Sequence, residues 1–489
     1  TAEAARQTMP YRFATTVDRE AVVGMIVDAA EHDSLRLTPP ELASSPAVFR
    51  RSDDTSRFRP IASTVYSSPD ILAAEDRLLE RARTMTAPTM LIEVIEKVTR
   101  RPDRDGRLLA DDQAAALTAV AISGRAVDVL VGPAGAGKTT AMRALRTAWE
   151  REHGRGSVVG LAPSAVAAQV LAEDLGIRTE NTAKWWQDHQ NAGTSFRNGQ
   201  LVIVDEASLA GTLSLDRITE HAAEVGAKVL LVGDWAQLQS VTAGGAFSLL
   251  VHDHADAPEL VDVHRFVNEW EKTASLDLRH GRTEAIDAYA EHDRITGGDT
   301  EAMIDAAYIA WRNDTLNGAL TVLIADSNDS VHSLNQRARA DLILDGIVDA
   351  RREVALHGDA RAGVGDTIIT RKNDRRLRTP RGWVRNGDRW TVIDIRDDGS
   401  LTARRADSRG TVTLPADYVS DHVDLGYAVT AHRAQGITTD TSHVLVDPST
   451  TRENLYVAMT RGRLANLVYV ATDRPDDNHT TPHPADDPD

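Results

Sequence analysis

The 489-residue chain has no cysteine, which excludes disulfides, thiolate zinc sites and cysteine nucleophiles and fits a reducing, cytoplasmic setting. Aromatic residues make up 4% of it. No run of about 18 apolar residues occurs, so the sequence offers no membrane-spanning helix. Lysine is scarce, with six Lys among 55 basic side chains. The opening "TAEAARQTMPYRF" lacks an initiator Met, a basic stretch and an apolar stretch, and reads as an internal cut rather than a secretory signal. Positive charge is short overall: the formal net charge is −18, which taken alone disfavours a nucleic-acid partner. That average hides an uneven distribution, because fifteen basic and nine acidic residues lie between Arg351 and Arg409. A basic groove on an acidic body is compatible with this pattern.

Hydrophobic content of 42% and charged content of 26% are those of a globular protein, and the length predicts three or four domains. Residues 1–105 carry amphipathic helical patterns such as "ILAAEDRLLERARTM", interrupted by the polar "FRRSDDTSRFRP", and read as an accessory domain. Over 106–250 short apolar runs ("VDVLV", "SVVGLA", "LVIVDE", "KVLLVG") alternate with Ala-rich helical stretches, the pattern of an α/β domain with a parallel sheet. A second such domain is expected over 251–472, with strands "TVLIAD", "SHVLVD" and "LVYVAT". Inside it, about residues 345–420, the runs "GVGDTIITRK" and "GDRWTVIDIRDDGSLTARR" read as an inserted small β-barrel. Residues 473–489 are acidic and Pro-rich and are expected to be disordered.

The stretch "GPAGAGKTT", Gly132 to Thr140, matches G-x-x-x-x-G-K-[ST] between a strand and a helix. Gly132, Pro133, Ala134, Gly135, Ala136 and Gly137 are expected to curl backbone N–H groups around phosphates, with Thr140 in the helix start. Lys138 is expected on the β- and γ-phosphates and Thr139 on Mg²⁺. About 70 residues on, the strand "LVIVDEAS" ends in Asp205, for the Mg²⁺ shell, and Glu206, to orient or deprotonate an attacking water. Gln113 is a candidate for the adenine edge. In "LLVGDWAQLQSV", Gln237 is placed to sense the γ-phosphate, and Arg265 and Arg461 to meet transition-state charge from a second domain.

In this order and spacing the P-loop, "VDEAS", "GDWAQL", "VHRF", "TAHRAQGIT" and "NLYVAMTRGR" resemble motifs I to VI of superfamily 1 helicases, across about residues 110–470. "GDxxQL", "TxHxxQG" and "YVAxTRxR" are closer to the RecD-like, 5′→3′ branch. The segment "ASTVYSSPDILAAEDRLLERA" resembles the lead-in to the helicase region of TraI-like conjugative relaxase-helicases. The resemblance implies two RecA-like motor domains, an SH3-like 2B barrel, ATP and Mg²⁺ as cofactors, and a monomeric motor on single-stranded DNA and duplex junctions. It also implies a covalently linked nicking (relaxase) domain in a longer chain. Pro163, Ser164 and Ala165 in "LAPSAVAAQ", with Thr430, His432 and Gln435, are then expected along the DNA. The 1B projection would be short, about residues 185–200, and Trp235 stands where a small residue is common. Two further functions are open at this stage: an ATP-regulated single-strand binding module without processive unwinding, and a RecD-like repair helicase outside conjugation. The cluster His252, Asp253, His254, Asp256 and His264 fits no strong metal spacing and reads as a polar loop.

Overall fold

A computed structural model describes residues 15–38, 45–51, 56–58, 65–102, 106, 108–240, 244–379, 382–405, 410–448 and 450–473. The chain divides into two compact units, Thr1–Arg77 with Pro475–Asp489, and Leu78–Arg474. In the first, helix Thr16–His32 begins at Thr15, whose hydroxyl accepts the Asp18 N–H at 3.1 Å. It is followed by the antiparallel pair Leu35–Arg36 and Tyr66–Ser67. The expected disordered tail, from residue 474 on, lies outside the described residues.

The second unit holds two parallel sheets and a barrel. Strands Val127–Val131, Lys228–Gly233, Leu201–Val204, Val158–Ala162 and Thr179–Asn181 lie side by side in that order, all parallel. Their period-2 alternation feeds two cores. Leu130, Leu201, Ile203 and Leu230 meet helices Asp111–Ile122, Lys138–His153 and Ala165–Leu175 on one face. Val127, Val129, Val202 and Val204 meet helix Thr212–Val225 on the other. Both cores extend past the sequence-drawn boundaries. Leu78, Ala82, Met90 and Ile95 belong to them, so residues 78–102 pack with the first sheet rather than with an accessory domain. So does Leu260, beyond the expected break at 250, with Val251 and Ala257 packed against the same domain.

The second sheet orders Ala428–Thr430, Thr321–Ala325, Thr439–Val446, Gly462–Ala471 and Ile295–Gly298, again all parallel. Helices Thr300–Leu316 and Asn328–Leu344 cover one face. Glu269–His280, Glu284–Glu291 and Arg452–Ala458 cover the other. Between its strands stands a five-stranded antiparallel sheet ordered Thr411–Leu414, Leu401–Arg405, Arg389–Ile395, Thr367–Thr370 and Val423–Leu425, closed over the buried Trp390. This is the expected α/β architecture with an inserted barrel. The barrel shares one continuous core with Tyr308, Trp311 and Leu323 of the second sheet domain.

From the barrel, hairpin Asp374–Thr379 and Gly382–Val384 reaches the first sheet domain, where Arg375 Nη2 lies 2.8 Å from Glu180 Oε1. The short 1B projection takes a different form. Residues Thr182–Ala192 are a helix whose Trp185 stacks on Phe196, ring centroids 4.5 Å apart, inside the first-domain core. Two apolar rings that can bury themselves leave little to project.

Candidate functional site

The turn after Val127–Val131 is shaped by two glycines. Gly135 and Gly137 have φ of 86° and 76°, a region that side-chain-bearing residues resist. A Cβ on Gly135 would stand 2.5 Å from the Arg265 Cβ, and one on Gly137 2.4 Å from Gln113 Nε2. Each glycine thus serves both the turn and a close approach. The turn opens helix Lys138–His153, with Thr139 and Thr140 in its first turn. Unpaired N–H groups and partial positive charge gather there. Lys138 Nζ folds back to donate to Gly132 O at 2.7 Å and Pro133 O at 3.1 Å. Gln113 is 5% exposed. Its Nε2 donates to Ala136 O at 3.2 Å and its Oε1 accepts the Ala110 N–H at 3.3 Å, so it braces the loop from behind.

Asp205 and Glu206 follow strand Leu201–Val204. Glu206 has φ 52°, a left-handed conformation that costs a non-glycine residue about 1–3 kcal/mol and that concentrates at functional sites. Burial and the neighbouring Glu206 charge push the Asp205 carboxyl up to about 7, with Lys138 acting the other way.

At the end of strand Lys228–Gly233, Asp234 is a buried hub. Its oxygens accept from Arg279 Nε at 3.0 Å, Gln237 Nε2 at 3.2 Å, Tyr456 Oη at 2.9 Å and the Ala236 N–H at 3.2 Å. Trp235 is packed into the cores beside it, under the Arg279 guanidinium at 5.0 Å. From the second sheet domain, Gln435 Nε2 donates both to Gln237 Oε1 and to Glu206 Oε2, each at 3.2 Å. Gln435, expected on DNA, is therefore turned toward the acids. Helix Ala431–Ala434 ends directly before it and aims it across the cleft.

The segment carrying Arg265 ties the two sheets together. The Leu260 N–H donates to Val131 O, the His264 N–H to Gly135 O, and the Val267 N–H to Arg463 O. Arg265 Nη1 donates to Thr460 O. Arg461, 2% exposed, donates through Nε to Val457 O at 2.7 Å and through Nη2 to Thr460 Oγ1 at 2.7 Å. Burial lowers the proton affinity of both guanidiniums, and for Arg461 the nearby Arg265 charge adds to it, while Glu206 opposes it in each case. Among the described residues neither arginine has a carboxylate within ion-pair distance. A buried and a half-buried guanidinium beside a phosphate-type loop, hydrogen-bonded only to neutral oxygens, form a site that favours an anion.

Comparison with known proteins is consistent with this geometry. Residues 108–300 match the AAA domain family, and residues 354–424 match the Rv2311 SH3-like barrel domain. The chain is 34% identical over 409 residues to a probable conjugal transfer protein TraA of Sinorhizobium fredii, covering 82% of this chain and 36% of that one. It is 29% identical over 412 residues to the ATP-dependent RecD2 DNA helicase of Deinococcus radiodurans, covering 81% and 54%. The chain is a homologue of TraA conjugal transfer proteins and RecD helicases. It spans about a third of the length of the TraA proteins it matches. A crystal structure of Pif1 helicase from Bacteroides in complex with ADP-AlF3 and ssDNA shares the fold, with a TM-score of 0.50 at 18% identity over 76% of this chain and 94% of that one.

In this TraA- and RecD-related chain the remaining expected residues sit at carboxyl ends of parallel strands, where open α/β sheets bind ligands. Pro163 and the exposed Ser164 follow Val158–Ala162, and the Ser164 hydroxyl accepts the Ala167 N–H at 3.0 Å. Ala165 is buried as the first residue of its helix, so it has only backbone to offer. Thr430 ends strand Ala428–Thr430 in the other sheet, and the exposed His432 follows it. A cleft of about 530 Å³ beside Pro163 is lined by Trp186, Leu213 and Arg217, with the Arg217 guanidinium 5.1 Å from the Trp186 ring. Two residues of the site were not singled out from sequence, Tyr456 and Arg279. Tyr456 lay inside a recognised motif stretch, five residues before Arg461; Arg279 sits in an ordinary amphipathic helix and gave no signal.

Proposed function

We propose that the chain is an ATP-driven motor that moves 5′→3′ on single-stranded DNA and unwinds duplex, and that it is the motor part of a conjugative relaxase. The observation that carries this is Gln435: a residue of the expected DNA loop after strand Ala428–Thr430 of the second sheet bonds both Glu206 and Gln237 of the first. A site split between two domains makes hydrolysis depend on how the cleft closes, which a static binding module does not need.

In this reading Lys138 and the loop N–H groups hold the phosphates. Glu206 orients or deprotonates the attacking water. Arg265 and Arg461 exchange carbonyl bonds for the charge that develops on the transferred phosphoryl group. Gln113, pressed against Gly137, fixes the loop beside the adenine edge. Thr139 and Asp205 suit Mg²⁺, an ion usually held by one or two carboxylates plus substrate phosphates. A carboxyl raised to about 7 is one that a dication would relieve. When bound, the ion neutralises charge on the β- and γ-phosphates.

Pro163, Ser164, Thr430 and His432 give two grips on a DNA backbone, one per sheet domain, and phosphate grips carry no sequence information. The barrel hairpin, with Trp383 between Arg375 and Arg385 at 5.2 and 5.5 Å, adds an aromatic and cationic guide. Polarity follows from the RecD-like motif wording. Unwinding of partial duplexes bearing a 5′ or a 3′ tail tests motor, substrate and direction together. ATP-dependent unwinding of the 5′-tailed substrate alone is expected; 3′-tailed unwinding overturns the polarity, and no ATP turnover with DNA binding intact overturns the motor.

A further inference from the structure

We infer that Tyr456 is a positioning residue that couples the phosphate loop to Glu206 and Gln435, so that nucleotide and single-stranded DNA regulate each other's binding through its hydroxyl. This rests on the motor reading of the site and names how its two halves communicate.

Tyr456 belongs to the second sheet domain, on helix Arg452–Ala458, and is 1% exposed. Its hydroxyl accepts the Ala134 N–H at 3.3 Å and donates to Asp234 Oδ2 at 2.9 Å. Ala134 is the third residue of the phosphate loop, and loop N–H groups are what a phosphate recruits. Any phosphate that draws on this N–H competes with Tyr456 for it. The loop's state is thus registered at one oxygen atom of the other domain.

The second half of the path has a defined direction. Asp234 as a carboxylate only accepts hydrogen bonds, so Tyr456 must donate to it, and Gln237 must turn its Nε2 toward it. Burial, with the Asp234 charge beside it, pushes the phenol well above its ordinary value and keeps that proton in place. With Nε2 committed, Gln237 can only offer Oε1 to Gln435, which in turn donates to Glu206. Gln435 follows Thr430 and His432 in the same strand-end loop. One hydrogen-bonded chain therefore runs from the phosphate loop to the grip expected on DNA. Arg279, bridging Asp234 to Glu259 with Nη1–Oε1 at 2.6 Å, holds the hub still while either end moves.

The test measures the dissociation constant of a labelled oligothymidylate with and without a non-hydrolysable ATP analogue and Mg²⁺, for the wild-type chain, Tyr456→Phe and Asp234→Asn, beside kcat and KM for ATP at saturating oligothymidylate. In the wild type the analogue is expected to change DNA affinity about fivefold or more. In both variants that ratio is expected to fall below about twofold, with kcat down about tenfold and KM within about twofold. Phe keeps the ring and its packing, and Asn keeps the shape of Asp. Retention of the wild-type ratio by Tyr456→Phe, or a KM rise with kcat unchanged, overturns the coupling. So does a wild-type ratio near one. A wild-type ratio that Tyr456→Phe abolishes in a chain without ATP turnover sinks the motor reading and leaves the coupling standing.

Discussion

The two parallel sheets bring opposite chemistry to one cleft. The first contributes a loop of backbone N–H groups, Lys138 and the pair Asp205 and Glu206, all within a residue or two of strand or helix ends. The second contributes side chains from separate elements, Gln435, Tyr456 and Arg461, none of which has a role until the first sheet faces it. The first half carries a complete phosphate-type loop; the second has charge and reach but no loop. The difference teaches that the loop is built by one sheet alone, whereas the hydrogen bonds across the cleft need the pair.

Substitutions on either side sharpen that contrast. The largest effects are expected from Lys138→Ala and Arg461→Ala. Lys138→Ala should lose ATP binding and hydrolysis together. Arg461→Ala should keep nucleotide affinity within a few-fold and lose kcat by roughly 10³. Titration with a fluorescent nucleotide beside steady-state kinetics separates the two, and a parallel loss of affinity in Arg461→Ala would erase the distinction.

Gly135→Ala acts on the seam itself. Its Cβ would meet Arg265 at 2.5 Å and its φ of 86° would be strained. A displacement of the Arg265 segment by a few tenths of an ångström or more should lower DNA-stimulated kcat by about 10²-fold. Wild-type kcat in this variant would mean that Arg265 takes no part.

A smaller effect is expected from pH, on the first sheet alone. With the folded Asp205 carboxyl raised to about 7 and its unfolded value near about 3.9, the folded state holds the extra proton between these values. Its contribution to folding is therefore complete at the acid end and is lost as pH rises through about 7. Cation-dependent nucleotide binding runs the opposite way, weakening by up to about tenfold per unit as pH falls below about 7. Asp205→Asn should flatten both profiles; a wild-type profile in that variant would assign the titration elsewhere.

The smallest effect is expected at the rim. Arg375 and Glu180 are an exposed pair between barrel and first sheet domain, so Arg375→Ala should change unfolding free energy by under about 1 kcal/mol. Its expected signature is a shallower salt dependence of single-strand affinity, by about one phosphate contact. An unchanged slope would remove the hairpin from the DNA path.

Much of this architecture was legible because its signals are local. Alternating Val and Leu runs predicted both sheets, and the basic β-rich stretch predicted the barrel. Boundaries were less legible. Met90, Ile95 and Leu260 pack into the first-domain core although the chain around them reads as separate, since burial depends on what a segment meets, not on its own pattern. The 185–200 segment offered polar length that suggested a projection, whereas Trp185 and Phe196 found each other first.

By itself the sequence determined the phosphate loop and the acids after it. Glycine φ, a strand before and a helix after are all set within a few residues, and the energies that impose them act at that range. Only the tertiary structure decided that Gln435 faces Glu206 rather than open groove, that Arg265 is strapped against Gly135, and that Tyr456 joins Ala134 to Asp234. Those contacts join positions from about 130 to 322 residues apart, and no local preference encodes them. They exist because the two sheets of one compact unit present complementary donors and acceptors at one depth, where most buried polar groups find a partner.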